Sequence, residues 1–523
     1  MVVLLISYVI VRPLLSAGYF PMHDDTQVAR VVVMGRALRE GQFPVRWVSD
    51  LGYGYGYPIF NFYGPLPYYV GGAIHAAGVS GLVATKIMMA LGLVLAGVTM
   101  YLALSHMVGV SAGMVGAALY MFAPYHAVQA YVRGAVGEYW ALVFLPLILW
   151  GFWRKNILVG ALGIAGLVVS HTILGYAGMV FVLFAFLATK MQKQVLMLIL
   201  LGLGLSAFFW LPAITEMKYT NVSSQVSATS DFRDHFVCLP QLWNSFWGYG
   251  GSAKGCLDGL SFKLGKVHLL LALIGLVAAF KKHKYFMFAG ASIFLLSVFF
   301  MLPISVRAWE FIPLFAYIQY PWRFLAFALF GVSLIGSVAF SFVRQPILRW
   351  LTVLTGIGIL LFVEAKRFMP QYTYERAAGD FETDSDIRFR ASQISDEYLL
   401  PAVPRPAKEE EIFRDTIPRS DNYILGMEQD TDTYKKFTMR SGTDNTIVVR
   451  IAYFPGWHYI VNENVVYPKL ENGFPELSVP AGFSVVRMQF RDTPVRTVGN
   501  FISMVSLGIY IYLYDRKNKK PVS

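Results

Sequence analysis

Apolar stretches of about the length of a membrane-spanning helix recur along the chain, and short polar breaks separate them. A helix needs roughly 20 apolar residues to cross the hydrocarbon core of a bilayer, so this pattern predicts a bundle of membrane helices. We predict about 12 spans, over residues 1–20, 83–106, 110–125, 139–152, 157–170, 174–189, 195–211, 267–280, 285–302, 321–342, 350–363 and 498–514.

Two regions depart from this pattern. Residues 66–82 are weakly apolar and rich in Gly and Tyr, so we expect a helix that lies along the membrane interface rather than across it. Residues 365–495 are charged, and apolar and polar residues alternate there as in half-buried β-strands of a small antiparallel sandwich. Turn dipeptides separate the alternating segments, which are 446–451, 457–462, 476–479 and 483–490.

The composition agrees with this division. Of the 523 residues, 56% are hydrophobic and 15% are charged, whereas a soluble domain carries about 25% charged residues. The sequence therefore predicts a polytopic α-helical membrane protein of about 12 spans with an extracytoplasmic β-rich domain before the last span. The expected domains are the transmembrane domain 1–364, the β-sandwich-like domain 365–495, and a final transmembrane helix with a basic cytoplasmic tail, 496–523.

Basic residues predict the orientation in the membrane, because Lys and Arg are enriched in cytoplasmic loops. The basic clusters next to the predicted spans all fall on one side, and they lie at 154–155, 190–193, 281–284, 344–349 and 516–520. The segments expected outside are 21–67, 125–138, 213–265, 303–320 and 365–495. These clusters and anionic headgroups account for the net charge of +12, so the charge does not indicate nucleic-acid binding.

The loop at 21–67 is the polar segment on which our functional interpretation depends. It opens with His23, Asp24 and Asp25, carries four arginines and ends in a run of Gly, Tyr, Phe and Pro. Four arginines outside require an anionic partner, and a lipid phosphate would serve. If residues 66–82 instead crossed the membrane, the same loop would lie in the cytoplasm.

Ionisable residues within the predicted spans gather at their outer ends. A transporter is expected to carry such residues near the middle of the membrane, so this pattern favours binding or chemistry at the outer face. The residues concerned are Lys86, Arg133, Glu138, His171, Glu216, His268, Arg323 and Glu364.

Each of the main candidates also has a purely structural interpretation. Asp24 and Asp25 are suited to general-base catalysis or metal binding, but Asp25 or Thr26 would equally cap a helix predicted over 27–40. Arg133 and Glu138 form either a plain ion pair or a phosphate site in which Glu138 orients the arginine.

Three further residue types leave similar alternatives. Arg323 is suited to snorkelling beside interfacial aromatics, and His171 to a hydrogen bond at the membrane interface. Cys238 and Cys256 share one outer loop, where a disulfide is plausible but not required. Nucleotide-binding loops, zinc-ligand spacings and serine-nucleophile elbows do not occur at sensible positions, which argues against a cytoplasmic nucleotide-using enzyme.

Short motifs along the chain carry a resemblance to a known family. They are His23-Asp24, 41–47, 54–58, 62–66, Tyr131–Gly134 with Glu138 and Pro146, Ser170-His171, 319–323, 397–401, 454–457 and 479–482. On these residues the chain resembles the GT-C fold glycosyltransferases. More narrowly, it is similar to the bacterial and archaeal "6-pyruvoyl-tetrahydropterin synthase-related" membrane proteins and to YfhO-type proteins linked to surface-glycan glycosylation.

The resemblance implies a glycosyltransferase in the plasma membrane of a prokaryote with its active site facing outside. Such an enzyme moves a sugar from a polyprenyl-phosphate donor to a glycan, lipid or protein acceptor of the cell envelope. The expected catalytic residues are Asp24, then Asp25 and Glu138, and Asp24 is also a candidate ligand for a divalent cation, Mg or Mn. The expected substrate-binding residues are Arg46, Tyr63, Arg133, His171 and Arg323.

Two other classes of protein remain as alternatives. A lipid-linked glycan translocase would need a polar path through the bundle, and the span interiors lack one. A non-catalytic envelope scaffold would explain the outer domain but not the acids and arginines at the membrane edge.

Overall fold

The computed structural model describes residues 2–188, 192–222, 231–279, 283–413 and 415–518 of the chain. Parts of the predicted spans and basic clusters lie outside these described residues, namely Met1, Thr189–Met191, Phe280–Lys282 and Lys519-Lys520.

The helical body contains several long apolar helices. Five helices in the described residues are long and apolar enough to cross a membrane, namely Gly81–Met107, Val136–Arg154, Lys284–Met301, Pro346–Arg367 and Pro494–Asn518. A bent pair, Lys193–Leu205 and Ala207–Tyr219, brings the number to six when it is counted as one span. Shorter apolar helices lie at Val2–Leu15, Val110–Met121, Ile157–Ser170, Thr172–Ala188, Lys266–Val277 and Pro321–Ser337. Length and composition thus support a multispan protein, while the number of about 12 spans stays a prediction.

Two predicted spans differ in shape from the structure. The first is not a continuous helix over 1–20, because an α-helix at Val2–Val11 tightens into a 3-10 turn at Arg12–Leu15. The span expected to end at Pro212 instead bends by 69° after Leu205, and Pro212 lies inside the second helix. The bend lies at Ser206, whose hydroxyl donates a 3.0 Å hydrogen bond to the Gly202 carbonyl oxygen. Such a bond from a serine side chain to the helix backbone often bends a helix.

The loop at 21–67 contains the helix Gln27–Arg39, one residue shorter than predicted. It packs against the helix Leu66–Ala76, which has 11 residues. A helix of that length extends about 17 Å, well short of the roughly 30 Å of a bilayer core. Glycine permits the close approach of these two helices, since a Cβ at Gly72 would lie 2.4 Å from Met34 Cγ.

Two antiparallel sheets follow the helical body. The strands are β1 Tyr423–Asp430, β2 Tyr434–Ser441, β3 Asn445–Val448, β4 Trp457–Val461, β5 Asn464–Val466, β6 Lys469–Glu471, β7 Phe474–Val479 and β8 Gly482–Phe490. One sheet has the order β1-β2-β8-β4-β5 and the other β3-β7-β6.

The sequence pattern predicted β3, β4, β7 and β8 but missed the other four strands. The edge strand β1 is mostly exposed and begins with three consecutive apolar residues, Tyr423-Ile424-Leu425, so it lacks the alternation. In β2 the polar residue Lys435 occupies a buried position and pairs with Asp430, which hides the alternation.

Contacts between distant segments join the outer domain to the helical body. Tyr19 and Tyr374 form an antiparallel bridge, and the Ala452 amide donates a 2.7 Å hydrogen bond to the Tyr55 carbonyl oxygen. Arg388 pairs with Asp50 at 2.9 Å. The loop at 21–67 therefore lies between the helices and the sheets, with contacts to both.

Candidate functional site

Backbone hydrogen bonds bring the first outer loop against the segment that precedes Glu138. The amides of His23 and Asp24 donate to the carbonyl oxygens of Val132 and Arg133, at 3.1 and 2.9 Å. The receiving segment ends a π-helical turn, a rare element that occurs often at functional sites. Gly134 follows it with φ +66°, and a Cβ there would lie 2.2 Å from the Met22 sulfur, so glycine is required for both reasons.

Glu138 lies at the centre of a buried charge cluster. Arg133 donates from both terminal nitrogens to its two oxygens, at 2.5 and 2.8 Å, and Arg323 Nε donates to Oε1 at 3.0 Å. The carboxylate is 1% exposed. Two guanidiniums thus share one carboxylate, which leaves the cluster with a net positive charge. The ion pair predicted from the spacing of Arg133 and Glu138 is confirmed. Arg323, for which snorkelling was one interpretation, also pairs with Glu138.

Aromatic residues hold both arginines in place. The Arg133 guanidinium lies 4.5 Å from the Trp322 ring centroid, and that of Arg323 lies 4.9 Å from the ring of Tyr320. Such stacking orients a guanidinium while leaving its edges available for hydrogen bonds.

Asp24 has a half-buried side chain. Among the described residues, none donates a hydrogen bond to its carboxylate, while its backbone carbonyl accepts from Thr26 N and Gln27 Nε2. Its backbone is therefore fixed, while its carboxylate has no hydrogen-bond donor within the described chain.

Arg30 is 3% exposed, and the charge of Asp24 acts on it. Its guanidinium lies 4.2 Å from the Tyr63 ring centroid and donates to Ser395 Oγ at 3.0 Å. No carboxylate of the described chain forms an ion pair with it, and its Nε has no partner there. Burial lowers the Arg30 pKa, but nearby tyrosines and the charges of Glu397 and Asp24 outweigh burial and raise it. A buried cation without direct pairing favours an anionic ligand.

Asp25 has a different environment from Asp24. It pairs with Arg390 at 2.9 Å, and Arg390 is in turn held by Asp386. Burial raises the pKa of Asp25 to about 6, although Arg390 opposes the shift. Of the two residues predicted to cap this helix, Thr26 occupies the N-cap position but makes no side-chain cap bond, and Asp25 does not occupy it.

Tyr63 and His171 meet at the same site. Gly64 makes this possible, since a Cβ on it would lie 2.0 Å from the Ser170 carbonyl oxygen. The rings of Tyr63 and His171 are 6.3 Å apart in an edge-on arrangement. His171 Nδ1 accepts a 3.1 Å hydrogen bond from the Leu174 amide, which puts the proton of the neutral ring on Nε2.

Arg46 belongs to a separate cluster. It donates to the Phe208 carbonyl oxygen at 2.7 Å and to Asn500 Oδ1 at 3.1 Å, next to the buried pair of Glu216 and Arg496. Burial and the charge of Arg496 lower its pKa to about 10. The structure therefore brings together Asp24, Tyr63, Arg133, Glu138, His171 and Arg323, but neither Arg46 nor the carboxylate of Asp25 shares their contacts.

The sequence interpretation missed Arg30 and Glu397 as site residues. Glu397 accepts hydrogen bonds from Tyr57 OH at 3.4 Å and Ser395 Oγ at 3.2 Å. Burial raises its pKa, and Arg30 opposes the shift. Glu397 belongs to the 397–401 motif, one of those that carry the family resemblance. That motif is the sequence signal from which Glu397 could have been predicted as a site residue.

The donor set around Asp24 does not match a metal centre. The part of the chain that the structure describes contains no group of three His, Cys, Asp or Glu side chains able to hold a metal ion. Asp25 and Glu138 are occupied by arginines. A divalent cation at Asp24 thus stays a prediction, and the residues present fit an anion better. Cys238 and Cys256, whose pairing the sequence left open, form a disulfide with Cα atoms 5.5 Å apart.

Comparison with known proteins gives relatives of two kinds. An uncharacterised protein of Lactococcus lactis subsp. cremoris (strain MG1363) is 27% identical over 276 residues, which cover 48% of this chain and 43% of that protein. The chain thus matches less than half the length of this relative.

Solved structures show weaker similarity. The arabinofuranosyltransferase AftD from Mycobacteria matches with a TM-score of 0.49 at 13% identity, over 72% of this chain and 27% of AftD. ArnT from Cupriavidus metallidurans, bound to undecaprenyl phosphate, matches with a TM-score of 0.40 at 12% identity, over 69% of this chain and 63% of ArnT. The Archaeoglobus fulgidus oligosaccharyltransferase, in complex with Zn and sulfate, matches with a TM-score of 0.38 at 14% identity, over 79% and 58% of the two chains.

A family model matches residues 60–369, more than half of the chain, and its description is "6-pyruvoyl-tetrahydropterin synthase related domain; membrane protein". The match includes Arg133, Glu138, His171 and Arg323, while Asp24 precedes it. The narrower resemblance predicted from the motifs is confirmed: this chain belongs to the 6-pyruvoyl-tetrahydropterin synthase related family of membrane proteins.

Proposed function

We propose that this protein is a membrane glycosyltransferase that moves a sugar from a polyprenyl-phosphate donor to an envelope acceptor at the outer membrane face. One observation carries the proposal: within the described chain, the Asp24 carboxylate accepts no hydrogen bond, and its charge acts on Arg30, a buried cation without an ion-pair partner there. Glycosyl transfer from a phosphate needs a base for the acceptor hydroxyl and a cation for the departing phosphate. The donor class is the one that the family resemblance implies.

The chemistry is a single displacement at the anomeric carbon. Asp24 takes the proton of the acceptor hydroxyl while the hydroxyl oxygen forms a bond to the anomeric carbon. The bond from that carbon to the phosphate oxygen breaks, and the lipid phosphate leaves with the electron pair. Inversion at the anomeric carbon follows, because the oxygen attacks from the face opposite the departing phosphate.

Arg30 is the residue best placed to receive the departing phosphate. Its positive charge is not consumed by an ion pair, and its Nε lacks a partner among the described residues. Arg133 and Arg323 act differently, since each already donates to Glu138. Their combined charge exceeds that of Glu138, so the pair supplies a positive potential near the phosphate.

Glu138 is a positioning residue in this scheme rather than a second base. Accepting a proton would weaken its bonds to two buried guanidiniums, which is costly. Asp25 has a comparable structural role, because its carboxylate holds Arg390 of the outer domain.

The proposal is tested by following the lipid product. Purified full-length protein in lipid nanodiscs receives a lipid extract and the surface polysaccharide of the producing organism, and mass spectrometry measures released polyprenyl phosphate. A glycosyltransferase releases polyprenyl phosphate and transfers sugar, and Asp24→Asn abolishes both. No release by the wild-type protein, or equal release by Asp24→Asn, overturns the proposal.

The same measurement separates a translocase from a transferase, and the surface glycans of cells separate a scaffold. A translocase moves lipid-linked sugars across the membrane but leaves the bond between sugar and phosphate intact. A scaffold does neither, and Asp24→Asn would then preserve the surface glycans that a deletion of the whole protein removes.

A further inference from the structure

A polar cavity of about 250 Å³ lies between the loop at 21–67 and the outer domain. The loop side of its wall includes Glu40, Trp47 and Gly56, and the outer domain contributes Phe413, Asp432 and Arg450. Phe413 is 37% exposed at the rim. The cavity is smaller than the roughly 300–1,000 Å³ of drug-sized ligand sites, so it suits one small unit of a larger molecule.

The wall carries acidic residues, among them Glu40 and Asp432, beside the basic residues Arg388, Lys435 and Arg450. Glu40 Oε2 accepts from the Asp432 amide at 2.8 Å, and Asp432 Oδ1 accepts from the Ser49 amide at 2.7 Å. Neither carboxylate has an ion-pair partner among the described residues. Glu40 Oε1 accepts no hydrogen bond from a described residue and is available to an external donor.

The same wall carries donors without acceptors. Trp47 is 1% exposed, and its Nε1 has no partner in the described chain. The Arg450 guanidinium lies 3.7 Å from the Phe413 ring centroid and forms no ion pair with any described carboxylate. The stacked pair of Phe413 and Arg450 offers a flat apolar face and a fork of N–H donors.

We infer that this cavity binds one sugar unit of a glycan acceptor. A phosphate would use only the donors, and a metal ion only the carboxylates, whereas each hydroxyl of a sugar both donates and accepts. Charged side chains dominate the wall, which suits the hydroxyls of a sugar, and the Phe413 ring adds an apolar surface for the face of a sugar ring.

A short hairpin connects this cavity with the Asp24 site. Val48 and Tyr57 exchange backbone hydrogen bonds at its base, at 3.2 and 2.8 Å. Tyr57 OH donates to Glu397 on the side of Arg30, while Gly56 lines the cavity. A glycan chain that enters the cavity is thus held next to the site of transfer, and the inference rests on the proposed function for this placement.

The test measures glycan binding by the full-length protein in nanodiscs. The probe is a fluorescently labelled mixture of oligosaccharides, prepared by partial hydrolysis of the surface polysaccharide of the producing organism. We expect Phe413→Ala and Arg450→Gln each to weaken binding by about tenfold or more. Glu40→Gln, at the opposite wall, is expected to weaken binding as well.

The outer domain offers a matched pair of control residues. Phe483 and Arg440 face each other across β8 and β2, and both are exposed. Phe483→Ala and Arg440→Gln change the same residue types outside the cavity, and binding is expected to stay within about twofold of wild type. No binding by the wild-type protein, or equal binding by the cavity and control variants, overturns the inference.

Asp24→Asn distinguishes this inference from the proposed function. When both hold, Asp24→Asn abolishes transfer, and Phe413→Ala and Arg450→Gln weaken oligosaccharide binding relative to their controls. If Asp24→Asn transfers sugar normally while the cavity variants weaken oligosaccharide binding, the proposed function alone is overturned. Lost transfer without cavity-dependent binding overturns the glycan site alone.

Discussion

The backbone amide of Asp24 donates a 2.9 Å hydrogen bond to the carbonyl oxygen of Arg133. This contact joins the first outer loop to the segment that carries the buried pair of Arg133 and Glu138. Because the main chain makes the contact, the Asp24 side chain remains available for chemistry. Position and reactivity are thereby supplied by different parts of one residue.

Removing the charge of Glu138 is expected to destabilise the protein. Glu138→Gln leaves Arg133 and Arg323 buried without a counterion, a change that costs about 3–5 kcal/mol in buried pairs. Thermal unfolding in detergent measures the effect as a lowered Tm. Glu471→Gln, an exposed residue of β6, is the control and should leave Tm unchanged. Equal Tm values for the two variants would contradict a central role for Glu138 in the charge cluster.

Arg30→Gln is expected to weaken use of the lipid donor. A hydrogen bond to a charged group contributes about 1.5–3 kcal/mol, so the donor KM should rise by roughly 10- to 100-fold. Arg39→Gln changes an exposed arginine of the same helix and serves as the matched control. Similar KM values for both variants would show that Arg30 does not bind the phosphate.

The stability of the protein should depend on pH through Asp25. An Asp in an unfolded chain has a pKa of about 3.9, whereas burial raises the folded-state pKa of Asp25 to about 6, against Arg390. The folded state therefore retains a proton between about pH 4 and pH 6 that the unfolded chain releases. The stability contributed by Asp25 is full below about pH 4 and is lost as the pH rises through about 6.

Asp25→Asn removes this dependence. Relative to wild type, the variant should gain about 1–2 kcal/mol between pH 4 and pH 7, a value reduced for the partial exposure of the side chain. Arg390 keeps Asp386 as a partner in the variant. Tm values of both proteins across this pH range measure the trend, and a constant difference would be inconsistent with a raised pKa of Asp25.

Gly64→Ala is expected to disturb the site through packing. The new Cβ would lie 2.0 Å from the Ser170 carbonyl oxygen, so the backbone next to His171 must shift. We expect a lower Tm and reduced sugar transfer. Gly358→Ala places its Cβ in open space within a helix and should leave both unchanged or raise Tm slightly. Wild-type transfer by Gly64→Ala would argue against a tight contact at this point.

Local patterns were sufficient to predict some parts of the structure. The helix that begins at Gln27 and the ion pair of Arg133 and Glu138 follow from residue types within one or two turns. Four of the eight strands follow from strict alternation, while β1 and β2 do not, because exposure and a buried Lys435 break the pattern.

Long-range contacts explain what the sequence could not predict. Asp24 and Asp25 are adjacent and chemically identical, yet of these two acids Asp25 is the one that pairs with Arg390, 365 residues away. Arg323 joins Glu138 across 185 residues. The distinctive feature of Arg30 is the lack of an ion pair within the described chain, which no local pattern reveals.

A comparison of Asp24→Asn with Asp25→Asn is the most direct test of Asp24 as the catalytic base. Cells that lack the protein are complemented with wild type, Asp24→Asn or Asp25→Asn at equal membrane levels, and the transferred sugar in the surface glycan is quantified. Asp24→Asn should match the uncomplemented cells, and Asp25→Asn should retain most of the wild-type transfer. Wild-type transfer by Asp24→Asn would contradict the assignment of Asp24 as the catalytic base.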